Sequence, residues 1–411
     1  MCPANRPSRL FERGASCVGL DFLAHPFWDK YLEYEERQEA PEKIGAILQR
    51  IVNIPMHQYS RYYERLRILV NSRPLAEIAP AAAIARFRSD VLAESMPYGG
   101  LHHAEDETEA AIRTKVEGMY YENFQRIQSE TNRRWTFEAE IKRPYFHVTE
   151  LEHPQLANWR KYLDFEEAEG DYARILFLYE RCLVTCALYD EFWFRYARWM
   201  SSQKDKSEEV RNIYLRASTL FVPISRPGIR LQFASFEESC GRVDIAQDIH
   251  AALLMVLPDC IEVIVSWAHL QRRQHGLDSA IGVYKTQIDN AQVDIYTKAA
   301  LVTEWAFLLW RVKGSVDEAR AVFTKNMQWY ADSRIFWEKW IEFELQQPTS
   351  AELEPEHSDR VKAVFDQLRT KSRLSAIVKK ELTRSYFSYL QQRGGKDAMK
   401  QFLALDRETF G

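Results

Sequence analysis

Residues 159–183 read WRKYLDFEEAEGDYARILFLYERCL, and the placement of the aromatic residues in that stretch decides the fold. Trp159, Tyr162 and Phe165 recur every third position, which puts three rings on one helical face, with Glu166 beside them. Gly170 and Asp171 then supply a stop and a start. Glycine accepts the left-handed conformation that ends a helix, and aspartate caps the next one. The second segment carries Ala173, Arg174, Phe177, Tyr179, Glu180 and Arg181. Ala173 is small enough to let two helices approach closely, and Glu166 with Arg181 is a candidate polar tie inside the pair. The unit is a helical hairpin with an aromatic seam.

The unit recurs. Trp193, Tyr196 and Trp199 repeat the first face 34 positions after Trp159, followed by Val210, Arg211, Tyr214 and Ala217. Further copies open at Phe233-Phe236-Glu237, Ile264-Trp267-Leu270, Trp305-Leu308-Trp310 and Trp337-Trp340-Phe343-Glu344. Tyr386 and Tyr389 with Phe402 make a last, divergent copy, and Trp28, Tyr31, Tyr34 and Glu35 make an early one. About eight units at a period near 34 is a repeat architecture. One hairpin cannot bury its aromatic face, whereas stacked neighbours share a continuous core. The expected fold is all-α, a right-handed superhelical solenoid of tetratricopeptide-like helix pairs with a concave face for extended partners.

Composition agrees. The 411 residues include 11 Trp, 20 Tyr and 22 Phe but only 15 Gly and 15 Pro, which favours long helices packed by large side chains. A net charge of −4 lacks the basic excess of a protein coated in nucleic acid, so any RNA contact is expected to be local or indirect. No apolar run approaches the roughly 20 residues that span a bilayer, and Met1 to Leu10 lacks the apolar stretch of a secretory signal. Six cysteines show no disulfide framework, which points to a reducing compartment; Cys182 and Cys186, one helical turn apart, suit a core.

Two stretches interrupt the repeat. Residues 71–104 contain Pro74, Pro80, Pro97 and Gly99-Gly100 and read as an irregular connector. Glu105 to Glu130 then fits one long amphipathic helix. The expected organisation is a short amino-terminal array over 1–70, the connector over 71–104, a linking helix region over 105–145 and a carboxy-terminal array over 146–411. Leu10, Phe11, Glu12 and Arg13 look like the second helix of a repeat whose first helix is missing, so the amino-terminal array is expected to be incomplete.

The aromatic–aromatic–Glu first helix and the Tyr179-Glu180-Arg181-Cys182-Leu183 second helix resemble half-a-tetratricopeptide (HAT) repeats. Phe11-Glu12-Arg13 leading to Trp28, Ile51 to Pro55 with Tyr59, WTFEAEIKRPYFH over 135–147, and Trp159 to Trp199 resemble, in order and spacing, the pre-mRNA-processing factor 39 family. That resemblance implies a non-catalytic nuclear scaffold that binds U1 snRNP proteins at 5′ splice-site recognition. It also implies dimerisation through the carboxy-terminal repeats, with itself or a paralogue. The rival expectations are a HAT scaffold of another RNA-processing complex (3′-end cleavage or ribosomal RNA processing) and a tetratricopeptide-like peptide adaptor unrelated to RNA.

Most repeat aromatics are expected in the core. Trp305, Trp310, Trp337, Trp340, Phe343, Tyr386, Tyr389 and Phe402 are the candidates for a dimer or partner surface. Arg133, Arg134, Lys142 and Arg143, beside Trp135 and Tyr145, form one candidate basic patch for RNA; Lys371, Arg373, Lys379 and Lys380 form another, suited also to an acidic protein. Signals for catalysis are poor. Gly394-Gly395-Lys396 lacks the rest of a phosphate loop, and there is no GxSxG elbow. A helical terpene-cyclase reading would need an aspartate-rich metal motif. His102-His103 with Glu105 and Asp106 lacks the spacing that puts two histidines on one helix face, so no metal or cofactor is expected.

Overall fold

The computed structural model describes residues 6–95, 105–350 and 352–410. The described residues are mostly helical and divide into two compact units, Met1–Arg198 and Trp199–Gly411.

The first unit contains α1 (Arg6–Val18), α2 (His25–Arg37), α3 (Pro41–Ile51), α4 (Tyr59–Ser72), α5 (Leu75–Ile78), α6 (Ala81–Ser95), α7 (Glu105–Glu140), α8 (His153–Glu169) and α9 (Tyr172–Thr185), and most of α10 (Asp190–Ser201). Its amino-terminal core joins Trp28 and Tyr31 of α2, Leu48 of α3, Tyr62 and Leu66 of α4, and Ile112 and Val116 of α7. The α8–α9 hairpin forms as its sequence dictates. Gly170 sits at φ +80° at the end of α8, and the Asp171 side chain accepts a hydrogen bond from the Arg174 amide at the start of α9.

Two expectations need correction here. Ala173 faces solvent, whereas Ala246, Ala280 and Ala319 on second helices of the second unit are fully buried. The stretch after residue 71 is not irregular where it is described, since α5 and α6 occupy 75–78 and 81–95. Proline is tolerated just before a helix, and the Pro80 carbonyl accepts the amides of Ala83 and Ile84 to start α6, which alanine then favours. Pro97, Gly99-Gly100 and His102-His103 lie outside the described residues.

The long helix expected over Glu105–Glu130 runs on to Glu140 as α7. Ile112, Val116, Tyr120, Ile127, Thr131 and Arg134 form its buried stripe. Its first half packs on α4 and α6, where the Tyr120 hydroxyl donates to the Ile78 carbonyl at 2.6 Å; its far end packs on α8.

The second unit stacks hairpins. After α11 (Ser207–Arg216) come α12 (Gly228–Ser239) with α13 (Val243–Val256), α14 (Ile261–His275) with α15 (Leu277–Asp289), and α16 (Ile295–Leu308) with α17 (Val316–Asn326). The last pairs are α18 (Arg334–Leu345) with α19 (Glu354–Lys371), and α20 (Ala376–Arg393) with α21 (Ala398–Phe410). Gly241, Gly276 and Gly314 hold positive φ at the hairpin turns, as Gly170 does in the first unit. Two π-helical turns extend α11 over Ala217–Phe221 and α16 over Leu309–Lys313.

Candidate interaction surfaces

At six junctions a ring stack joins one repeat to the next. The second helix of one hairpin offers an aromatic side chain that lies flat on an aromatic of the following first helix. The pairs are Phe11–Tyr31, Phe137–Tyr162, Tyr179–Tyr196, Tyr214–Phe233, Phe323–Trp340 and Phe365–Tyr386, with centroids 4.5–5.7 Å apart and interplanar angles of 4–21°. Offset stacking of this kind adds about 0.5–1.5 kcal/mol beyond burial.

At three of these junctions an ion pair sits one turn from the stack. Arg134, three residues before Phe137, binds both oxygens of Glu166, four residues after Tyr162, at 2.7 and 3.0 Å. Arg211 binds Glu237 at 2.6 and 3.4 Å in the same register about Tyr214 and Phe233, and Arg320 binds Glu344 at 2.6 and 3.1 Å about Phe323 and Trp340. At the Phe11–Tyr31 junction Ser8 stands in the arginine's place and donates to the buried Glu35 at 2.9 Å. Burial alone would raise the Glu166 pKa, but the hydrogen bonds and charges of Arg134 and Arg174 outweigh it and hold the carboxylate below its usual range. The expected tie between Glu166 and Arg181 does not form. Arg181 reaches instead to Glu138 of α7 at 2.6 and 2.7 Å, and the tie within the hairpin is made by Arg174, which donates to Glu166 at 3.2 Å.

Three first-helix tryptophans are also held by hydrogen bonds. The indole nitrogens of Trp28, Trp193 and Trp337 donate to the carbonyls of Gly19, Ala187 and Ala331 at 2.8–3.1 Å. Bidentate arginines and stacked rings both demand particular geometry, so these junctions hold successive hairpins at fixed offsets.

Among the carboxy-terminal aromatics, Trp337, Trp340, Phe343, Tyr386 and Tyr389 are buried inside the chain's own core, which their large rings fill. Trp305, Trp310 and Phe402 are only partly buried and keep some surface for a partner. In the first basic cluster Arg134 is buried on Glu166, Arg133 pairs with Glu169 at 3.1 Å, and Arg143 donates to the Thr149 carbonyl at 3.0 Å; only Lys142 extends into solvent without such a bond. In the second, Arg373 pairs with Asp332 at 2.9 Å and Lys379 donates to the Arg369 carbonyl at 3.3 Å, while Lys371 and Lys380 are exposed. Cys182 and Cys186 are buried, and burial followed by the neighbouring thiol pushes the Cys182 pKa up, so both serve as core residues.

Two exposed apolar surfaces stand out. The extended stretch between α7 and α8 presents Tyr145, Phe146 and Val148 outward. It is pinned by Thr185 donating to the Arg143 carbonyl and by the Leu151 amide donating to the Tyr189 hydroxyl at 2.6 Å. In the second unit, Met255, Tyr296, Trp329 and Ile377 are all exposed near turns that lead from one hairpin to the next. Neighbouring turns are joined by the Asp294 amide to Asp259 at 2.8 Å and the Arg373 amide to the Ala331 carbonyl at 3.0 Å. No three-residue pattern marks these positions in the sequence, since Met255, Tyr296 and Ile377 lie at helix ends and Trp329 in a turn. Among the described residues no group of His, Cys, Asp and Glu is arranged to hold a metal ion, and no helix is long and apolar enough to cross a membrane.

Residues 3–68 match the family model described as the PRP39 N-terminal HAT repeat, and residues 132–273 match the PRP39 C-terminal HAT repeat. Pre-mRNA-processing factor 39 of Schizosaccharomyces pombe is 45% identical over 99% of this chain and 68% of its own length. The chain belongs to the pre-mRNA-processing factor 39 family. The human pre-mRNA-processing factor 39 is 30% identical over 77% of the chain, which spans about half (49%) of the human protein. The U1 small nuclear ribonucleoprotein component PRP42 of Saccharomyces cerevisiae is 23% identical over 50% of the chain and 38% of that protein. The crystal structure of CSTF-77 shares the fold, at a TM-score of 0.63 and 14% identity over 97% of this chain and 76% of that one. Among these pre-mRNA-processing factor 39 relatives the chain is an all-helical HAT solenoid. Its Arg320–Glu344 junction carries the same tie as Arg134–Glu166, so the repeat continues past the segment that the family model matches.

Proposed function

We propose that this chain is a non-catalytic scaffold of pre-mRNA splicing that works in the nucleus with the U1 snRNP at 5′ splice-site recognition. The observation that carries the reading is the 45% identity to a pre-mRNA-processing factor 39 over nearly the whole chain, supported by the likeness to a U1 component. The physical contribution is spacing. Junctions locked by ring stacks and bidentate ion pairs hold separated surfaces at fixed distances, so partners bound to different hairpins meet at raised effective concentration. Self-association through the carboxy-terminal repeats, or pairing with a paralogue, would double those surfaces, with Trp305, Trp310 and Phe402 the candidates that retain exposed area.

A tagged copy recovered from nuclear extract tests this. Enrichment of U1 RNA and its particle proteins is the expected result; recovery of a different RNA-processing complex, or of proteins without RNA, overturns it. Mixing tagged and untagged copies at micromolar concentration tests self-association, and a strictly monomeric profile removes the homodimer.

A further inference from the structure

An apolar groove of about 510 Å³ lies in the second unit between α11 and α13, floored by α12. Leu215 and the π-helical turn form one wall, Ile245, Ile249 and Leu253 of α13 the other, and Phe233 the base. Space of this size takes apolar side chains of a helix or peptide, the familiar helix-in-groove mode of recognition.

Its charges are unbalanced. Arg211 is neutralised by Glu237 in the floor. Arg230 also lines the groove, and no carboxylate lies within ion-pair distance of it among the described residues. Its guanidinium donates to the carbonyls of Pro223 and Val222 at 3.1 and 2.7 Å and to that of Ser218 at 2.5 Å. Burial with no compensating anion lowers its pKa. Arg242, at the rim, makes long ion-pair contacts among the described residues, 3.8 Å to Glu208 and 3.9 Å to Glu237. A half-buried cation in an apolar setting is stabilised by an anion from outside. The backbone around it is also unusual, since Arg230 binds the carbonyls around the π-helical turn over Ala217–Phe221; single π turns occur disproportionately at functional sites.

We infer that this groove is a docking site for an acidic amphipathic peptide segment of a partner protein, its apolar side chains on Leu215, Ile249 and Phe233 and its carboxylates on Arg230 and Arg242. The inference rests on the scaffold reading and names the chemistry of one of its partners.

The test is selection of a randomised 16-residue peptide library on the purified full chain, alongside the Arg242→Glu and Ile249→Asp variants. Both positions are partly exposed, and circular dichroism checks that each variant is folded. Expected are enriched peptides that combine leucine-like residues at helical spacing with Asp or Glu, and whose affinity falls at least tenfold on either variant. Enrichment of basic or purely apolar sequences, affinities unchanged by the variants, or no enrichment overturns the site. So does a self-association that Ile249→Asp abolishes, because a second copy then fills the groove. None of these outcomes bears on recovery of U1 RNA from extract, so failure of the groove and failure of the splicing assignment are separable.

Discussion

Arg134 and Glu166 face each other across the boundary between α7 and α8, both almost fully buried, with the guanidinium donating to both carboxylate oxygens at 2.7 and 3.0 Å. The pair fixes register more than it adds stability, because taking two charges out of water offsets most of their attraction. Removing one partner is a different matter, since the other charge stays buried. Glu166→Gln is expected to destabilise the chain by about 3–5 kcal/mol, while the double replacement Arg134→Met with Glu166→Leu returns to within about 1–2 kcal/mol of the parent. Urea unfolding of the three proteins checks this; equal losses in the single and double variants would show that the pair is a net source of stability.

Trp337 and Trp329 sit eight residues apart in opposite environments. Trp337 is fully buried and bonded to the Ala331 carbonyl, whereas Trp329 is 66% exposed. Trp337→Ala is expected to cost about 3–5 kcal/mol and Trp329→Ala less than about 0.5 kcal/mol. Thermal unfolding separates them. A large loss at Trp329 would mean that this ring is covered in solution, which would make it part of an interface between copies.

The sequence made the hairpins legible because their signals are local. Gly170-Asp171 states its own turn chemistry, and Trp159, Tyr162 and Glu166 are buried at the spacing a helix requires. What it hid was which helices pair. Arg134 precedes Glu166 by 32 residues, Arg211 precedes Glu237 by 26 and Arg320 precedes Glu344 by 24, because helix ends and the connections between repeats differ in length. A fixed-period reading therefore ties Glu166 to the nearer Arg181, when only the stacking of hairpins brings Arg134 to it. For a related reason the sequence does not separate surface aromatics from core ones: Trp340 and Trp329 are the same residue type, and only packing separates the ring on Phe323 from the ring in solvent.

The basic cluster around Arg133 is engaged within the chain, and this governs its behaviour toward RNA. Arg133, Arg134 and Arg143 already serve Glu169, Glu166 and Thr149, whereas the Lys142 side chain is exposed and makes no ion pair among the described residues. A single-stranded RNA of mixed sequence is expected to bind the purified chain with Kd weaker than about 10 μM at physiological salt and a shallow salt slope, since few phosphates are neutralised. Lys142→Ala should change that little. A steep slope, fluorescence quenching of Trp135 and a tenfold loss in Lys142→Ala would instead restore the cluster as a direct RNA site.

His250 makes acid stability a measurable property of the second unit. It is buried in α13, with its ring nitrogens 2.7 Å from the Ala246 carbonyl and 2.9 Å from the Ser266 hydroxyl. Burial lowers its pKa, the bond to Ala246 opposes that, Arg273 lowers it further and Glu238 opposes in turn; the net direction is down. The unfolded chain therefore takes up this proton first, near the ordinary histidine value of about 6.5, while the folded chain resists until lower pH. Stability is thus expected to fall as pH drops from 7.5 toward 5.5, a range in which carboxylates with ordinary values near 4 contribute little. His25 and His269 are shifted the same way, so His250→Gln should reduce this slope and not abolish it. Urea midpoints for the parent and variant at the two pH values read the difference. A parent that gains stability on acidification, or a variant with a steeper slope, would mean that His250 is charged in the folded chain.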